Sequence, residues 1–595
     1  MTSEADAGTT SRRRLLGLLV AGAASVTVGV NASPAQATGV AAVRGGKRPR
    51  RVAPAPGVRG GKHGLGPAPK PKPKPPRRKP AAPTRRPHPP VPPSPPGMPP
   101  WPTAMPPLSS PDVTGLEGVA LTHDPIAHLM RRVTFGPTAR DIAAGRDVGA
   151  AAWLEQQLRP AGLADDLVER TVARRYPYAY LDGPQIAALQ GQAPMDVTIS
   201  DVAVQQLRAA TLLRMTCSTR QLKEAVIDVW DQHFNIPADS QRGATRGGYE
   251  GRVLRPLALG RFADLLQAVT FSPAMLVFLN ADTSTADNPN ENLGRELLEL
   301  HTVGSGHYGE TDVQQCAKLL TGLSVTAQGA YEYHPDDHYV GPIAVMGFRD
   351  SNATAAGGEA AVGRLVRYLA SHPATAARVA RKLAVRFVSD DPSTQLLNRL
   401  QTTYLAYDTA IEPVLRVLFS DDEFWASVGS KYRRPLEWVT AALRAVDTTP
   451  SSSDPGSGEP DAWADWVGVL DGLAQGPLSW VPPNGYPDVR GPWLSAAGTL
   501  GRWNAAVRVT EYADSPGLSS TQAEHLLPGR PATCGAMVDA LASRLLGQPL
   551  GSAERSALLA HLGREAGSPV DDQTWTTGLH ELCWLLHMSP LRMLR

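Results

Sequence analysis

The residues best suited to chemistry lie between Asn290 and Gly304, in the stretch NENLGRELLELHTVG. Glu291, Arg295, Glu296 and Glu299 precede His301 there. On a helix Glu291, Arg295 and Glu299 stand at i, i+4 and i+8 and share a face, while Leu293, Leu297 and Leu300 line another. Two chemistries fit this spacing. One is a salt-bridge network that pins the helix in a bundle, because a half-buried carboxylate must be paired and arginine is its best partner. The other is a carboxylate–histidine site in which Glu291 or Glu296 meets His301 and His233 from a second helix, as helical bundles do for metal or acid/base work. Neither helix has Glu-x-x-His or His-x-x-x-His spacing, so the second chemistry depends on how the fold brings them together.

A weaker cluster follows at His334, Asp336, Asp337 and His338. Two histidines four apart around two aspartates could hold a divalent cation on a loop, or form a solvated polar turn. The loop Asp282 to Asn290 is rich in oxygen ligands but lacks the EF-hand spacing and its closing glutamate. The chain has no Gly-x-Ser-x-Gly, no P-loop, no Rossmann glycine pattern and no His-Glu-x-x-His, so the common hydrolase, nucleotide and zincin chemistries lose support.

The elements that must position these residues read as helices almost throughout. Asp124-Pro125 opens a short helix with an N-cap and a first-turn proline. A helix runs from Asp201 to Met215, and another from Arg220 to Phe234 after a Ser218-Thr219 cap. Leu222, Val226, Val229, Trp230 and His233 form the core-facing stripe of the second. Pro256 to Leu266 and Pro273 to Leu279 read as helices with a proline near the first turn, and Asp312 to Leu320 as one capped by Thr311. Only Tyr331 to Phe348 lacks helical period and suggests a short hairpin. The fold class is therefore mainly α: a large multi-helix body with at most a small β-hairpin.

Charge and proline divide the 595 residues unevenly. Ser11-Arg12-Arg13-Arg14-Leu15-Leu16, an apolar run to Val30 and Ala35-Gln36-Ala37 make the three-part layout of a twin-arginine signal peptide over 1–37. Residues 38–110 hold 23 of the 55 prolines and 15 lysines or arginines with no acid, the composition of an extended, disordered basic tether. The first 110 residues thus carry +16 of a total of +3, leaving 111–595 at −13. An acidic body argues against nucleic acid, which requires a basic face on the domain itself, and nothing after the signal is long and apolar enough to span a membrane. Residues 111–595 read as one helical domain, with a flexible loop about 448–461 (TTPSSSDPGSGEPD). Cys217, Cys316, Cys534 and Cys583 are too scattered for a disulfide framework.

Several segments together resemble the bacterial DUF1800 family. They are His128 to Pro137 (HLMRRVTFGP), Trp230-x-x-His233-Phe234, NENLGRELLELHTVG, Arg381-Lys382-Leu383, Lys431 to Glu437 (KYRRPLE), Pro482 to Asp488 (PPNGYPD) and Arg502-Trp503-Asn504. The resemblance implies an exported, mostly helical bacterial protein and brings no established activity. One departure is visible. Where the family pattern has a His-Asp pair followed by Gly and Lys, this chain reads His338-Tyr339-Val340-Gly341-Pro342, so no role resting on that Asp or Lys is implied here.

Two functions are compatible with these observations. The first is a cell-envelope binding or assembly protein with a polymer or protein partner; a cationic tether suits an envelope rich in anionic polymers. The second is a metal-dependent extracellular enzyme, of hydrolase type, using the Glu/His cluster and a divalent metal.

Overall fold

In a computed structural model of the chain, the structure describes residues 121, 124–195, 197–239, 243–451, 461–511 and 514–595. The expected signal over 1–37, the whole expected tether over 38–110, and positions 452–460 of the expected loop lie outside these residues. The N-terminal end of that loop is tied down: β5 (Thr449–Pro450) pairs antiparallel with β7 (Leu518–Ser519), which also pairs with β6 (Asp514–Ser515). The other strands form two antiparallel hairpins, β1 (Leu323–Val325) with β2 (Tyr331–Tyr333) and β3 (Ile343–Val345) with β4 (Phe348–Asp350). The sequence suggests one hairpin over this stretch; the turn at Met346-Gly347, both with positive φ, closes a second.

Everything else of regular form is helical, and six helices position the site. They are α1 (Pro125–Val133), α2 (Ile199–Cys217), α3 (Gln221–His233), α4 (Glu291–Glu296), α5 (Pro373–Phe387) and α6 (Pro435–Ala445). Helix α1 starts as its sequence dictates: Asp124 accepts from the amides of Ile126 and Ala127, with Pro125 at the first position. The imidazole of His372 caps α5 in the same way by accepting from Ala374 N–H.

Helices α3 and α6 run through the core. Every side chain of α6 is buried, and in α3 all but Lys223 are. The stripe Leu222, Val226, Val229 and Trp230 packs as the period requires, with the Trp230 ring against Phe234 and Phe262. Helix α3 also buries Glu224, Asp228 and Asp231 on its other faces, which an amphipathic reading does not anticipate. Helix α2 packs on both α3 and α6, and α5 packs on α3. Arg132, Arg246, Arg386, Arg416, Arg434, Arg502 and Arg595 are among the largest fully buried side chains. Arginine is almost never fully buried unless paired, and buried acids answer most of these: Asp231 and Glu250 pair with Arg246, Glu155 with Arg416, and Arg386, Arg434 and Arg595 share the network described below.

Three boundaries differ from expectation. The central helix is α-helical only to Glu296, and Leu297–His301 is a π turn. Pro256 ends a helical run rather than starting one: it sits in Arg255–Leu257 after a π stretch, and the next helix begins at Phe262. The helix expected from Asp312 begins at Glu310, because Asp312 reaches back to the amide of Gly309, making Gly309 rather than Thr311 the cap. Cys217, Cys316, Cys534 and Cys583 are all free thiols, and three are buried. No helix of the described residues is long and apolar enough to cross a membrane.

Candidate functional site

The central stretch serves mainly to hold neighbouring elements. Glu291 and Arg295 pair at 3.1 Å, and Arg295 reaches Glu310 of the following helix at 2.6 Å. All three are well exposed, so water and salt screen both pairs and neither holds the fold. The π turn carries Glu299 out of that row. It accepts instead from the hydroxyls of Tyr308 (2.7 Å) and Ser305 (3.1 Å). Glu296 is half-buried, and burial followed by repulsion from Glu299 raises its pKa. His233 and His301 do meet, but through the backbone: His233 Nε2 lies 3.0 Å from the carbonyl oxygen of His301. The His301 ring sits edge-on to Phe234, and burial pushes its pKa down to about 3. Among the described residues none of the three glutamates pairs with either imidazole.

The second cluster is likewise divided. His334 contacts Glu332 (3.0 Å) and Asp337 (3.3 Å) at the surface, and Asp336 is exposed. His338 is buried, with Nδ1 on the Thr321 carbonyl and Nε2 on Asn352 Oδ1. Both of its nitrogens are therefore engaged away from His334. Among the described residues no three His, Cys, Asp or Glu side chains are grouped to hold a metal.

The structure gathers its charge elsewhere. Arg434, the residue before α6, reaches Asp228 of α3 at 2.6 Å and Glu437 at 3.2 Å. Glu437 also receives Arg386 of α5, in a short contact, and Arg595 at 2.9 Å. Its second oxygen accepts the Arg434 amide at 3.0 Å, fixing the first turn of α6. Lys431 pairs with Asp390 at 2.6 Å and lies 3.6 Å from Asp488. Burial alone raises the Glu437 pKa, but Arg434, Arg595 and Arg386 outweigh it and hold the carboxyl well below the usual range. Asp488 is lowered in the same manner, with Arg434, Lys431 and Arg386 outweighing burial.

In front of this network lies a cavity of about 600 Å³. Helix α5 lines one side with Arg378, Arg381, Lys382 and Val385, which are three or four residues apart and so share a face. Trp480 and the turn Asn484 to Asp488 line the other, and Asp228, Gln232 and Arg434 lie between. Trp480 donates through Nε1 to Asn484 Oδ1 at 2.9 Å, and its ring centroid is 4.8 Å from that of Tyr486. The turn is pressed onto α3. Gly485 has φ 69°, and a Cβ there would meet the Gln232 carbonyl oxygen at 2.1 Å. Tyr486 N–H donates to Gln232 Oε1 at 2.9 Å. Lys382 donates to the Gln232 carbonyl at 3.4 Å. Burial, with help from Arg378 and Arg434 and opposition from Asp488, pushes Lys382 down to about 8.

Of the candidates read from the sequence, only the segment around His233 approaches this cavity, through its neighbours Asp228 and Gln232. The residues that matter were visible as PPNGYPD, KYRRPLE and Arg381-Lys382, but as pieces of a resemblance rather than as charges. A simple count carries a signal: residues 111–595 contain 37 arginines and only four lysines, Lys223, Lys318, Lys382 and Lys431. Two of the four belong to the cavity or the network behind it. A family model described as Protein of unknown function (DUF1800) matches residues 128–590. No curated protein and no solved structure matches the chain.

Proposed function

The chain belongs to the DUF1800 family, and from that premise we propose that it is an exported cell-envelope protein whose helical body binds a ligand or partner in the cavity between α5 and the Trp480–Asp488 turn. The observation that carries this reading is where the family-bearing segments go. Asp228 beside Trp230-x-x-His233, Lys382, Arg434, and Gly485 to Asp488 come from four distant stretches and line one cavity, with Glu437 behind Arg434. Burying so many ions is weak evidence for stability, since well-packed apolar residues serve as well or better. A buried ionic network that opens onto a cavity with an aromatic wall has the features of a ligand site. Export rests on the twin-arginine pattern and the basic tether, and the envelope is the place where both make sense. Metal-dependent hydrolysis at the Glu/His cluster gains no support from the arrangement of those side chains.

The test is co-sedimentation of the purified exported protein with isolated cell walls of a twin-arginine-exporting bacterium. Val385 lines the cavity without joining the ionic network, so Val385→Trp fills the space and leaves the ion pairs alone. Wild type is expected to pellet with the walls and Val385→Trp to bind at least tenfold more weakly while melting like wild type. Equal pelleting of the two proteins would remove the cavity from the account.

A further inference from the structure

Residues 111–595 carry a net charge of −13, yet the cavity is lined by four cations and only two carboxylates. Both carboxylates are already engaged. Asp228 holds Arg434 at 2.6 Å and Arg386 at 3.4 Å. Asp488 is shared by Lys431 (3.6 Å), Arg434 (3.7 Å) and Arg386 (3.9 Å). The cations of α5 have no such match. Arg378 Nε donates to the Leu300 carbonyl at 3.1 Å, and Lys382 has the Gln232 carbonyl at 3.4 Å. Among the described residues no carboxylate lies within 4 Å of either side chain. Arg381 has only Asp391, at 3.9 Å and almost wholly exposed. An acidic body that leaves Arg378 and Lys382 without a carboxylate, and Arg381 with only a long, exposed contact, is built to receive negative charge at that cavity wall.

The opposite wall narrows the class. Trp480, Tyr486, Pro487 and Pro492 present flat apolar surface to the same space, and the Asn484 hydrogen bond holds the Trp480 indole in one orientation. A simple inorganic anion would leave that wall unused. A pyranose ring has an apolar C–H face for an indole and can carry a carboxylate or phosphate on its edge, and a cavity of about 600 Å³ accepts a ligand of a few rings. Resting on the cavity reading above, we propose that this site takes an anionic saccharide, with a sugar ring on Trp480 and its carboxylate or phosphate on Arg378, Arg381 and Lys382. Arginine offers the planar fork that suits either anion, and lysine a compact point charge.

Lys382 gives the site a pH signature. The charged or titratable groups around it are Arg378 and Arg381 on its own helix, Asp228 and His233 on α3, Arg434, and Tyr486 and Asp488 on the turn. Burial keeps His233 well below 6.5 and pushes Tyr486 up to about 12. Asp228 and Asp488 are held by arginine and lysine. Asp231 of α3, raised to about 7 by burial, touches Gln232 but does not line the cavity; Lys382, at about 8, is the lining group whose charge changes between pH 6.5 and 9.5, from cation to neutral amine.

Calorimetric titration of the full chain tests this with three probes: a trigalacturonate, a maltotriose phosphorylated at a primary hydroxyl and neutral maltotriose. At least one anionic probe is expected to bind tenfold or more tightly than maltotriose at pH 6.5, and the stronger of the two identifies carboxylate or phosphate as the natural charge. Its affinity is expected to fall several-fold or more at pH 9.5. Lys382→Arg keeps a charge at both values and is expected to abolish that pH step while still binding. The double variant Arg378→Gln, Arg381→Gln is expected to lose at least tenfold. Binding of maltotriose as tight as that of the anions, or a pH step that survives Lys382→Arg, would overturn the proposal. If neither anion binds while wall pelleting still depends on Val385, the saccharide class is wrong and the cavity reading stands.

Discussion

Glu437→Gln is expected to destabilise the protein by about 3–5 kcal/mol, the usual cost of removing one partner from a buried ionic group. The substitution preserves volume and one carbonyl oxygen, so packing changes little. What it removes is the one charge in contact with Arg386, Arg434 and Arg595. Asp228 and Asp488 remain, but Asp228 touches only two of those arginines, and Asp488 lies at 3.7 Å or more from them. Denaturant unfolding followed by circular dichroism measures the loss. Glu291→Gln in the exposed pair with Arg295 is the control and is expected to change stability by no more than about 1 kcal/mol. The gap has a pH dependence of known sign. The folded carboxyl is held well below its ordinary 4.5, so its contribution is complete above that value and fades as pH falls through and below it. Equal effects of the two substitutions at pH 7 would mean that the central network contributes no more than a surface pair.

Gly485→Ala is the second large effect, and it acts on geometry. The backbone at φ 69° costs a residue with a Cβ about 1–2 kcal/mol. The added atom would also lie 2.1 Å from the Gln232 carbonyl oxygen, and a backbone atom of a core helix cannot step aside. The turn must therefore lift from α3. Tyr486 then loses its hydrogen bond to Gln232 (2.9 Å), and Asp488 moves from Lys431 and Arg434. A loss of about 2–4 kcal/mol in stability and at least tenfold in wall binding is expected. Gly491→Ala serves as the comparison, because a Cβ there meets nothing within 4 Å. Identical melting and pelleting of the two variants would show that the turn is not held as described.

The helices were legible because their signals are local. Asp124-Pro125 caps α1 within three residues, and the apolar stripe of α3 repeats within one helix. Where the signal was local but ambiguous, the boundary moved. Pro256 can follow a helix as well as start one, and a π turn at Leu297–His301 adds no residue type that distinguishes it from α. That turn is why Glu299 leaves the row of Glu291 and Arg295 and why the charge density around His301 builds no shared site. The ionic network was not legible for a different reason. Asp228, Arg386, Glu437, Asp488 and Arg595 span almost 370 positions of the chain, and nothing in the spacing of any one segment states that they meet. KYRRPLE stood out as a motif, but nothing within the segment states that its two arginines are buried. The tightness of the turn at Gly485 was likewise hidden, since Asn484-Gly485 marks a turn without saying what it presses against.

The central claim, the proposal that the cavity beside α5 is where this protein meets the envelope, is tested most directly by oxidative footprinting of the purified protein with and without isolated cell walls. Trp480 and Tyr486 line the cavity, whereas Trp575 does not. The expected result is protection of Trp480 and Tyr486 by several-fold on wall binding, with Trp575 unchanged. Binding to the walls without protection of Trp480 and Tyr486 would contradict the claim and place the contact elsewhere on the chain.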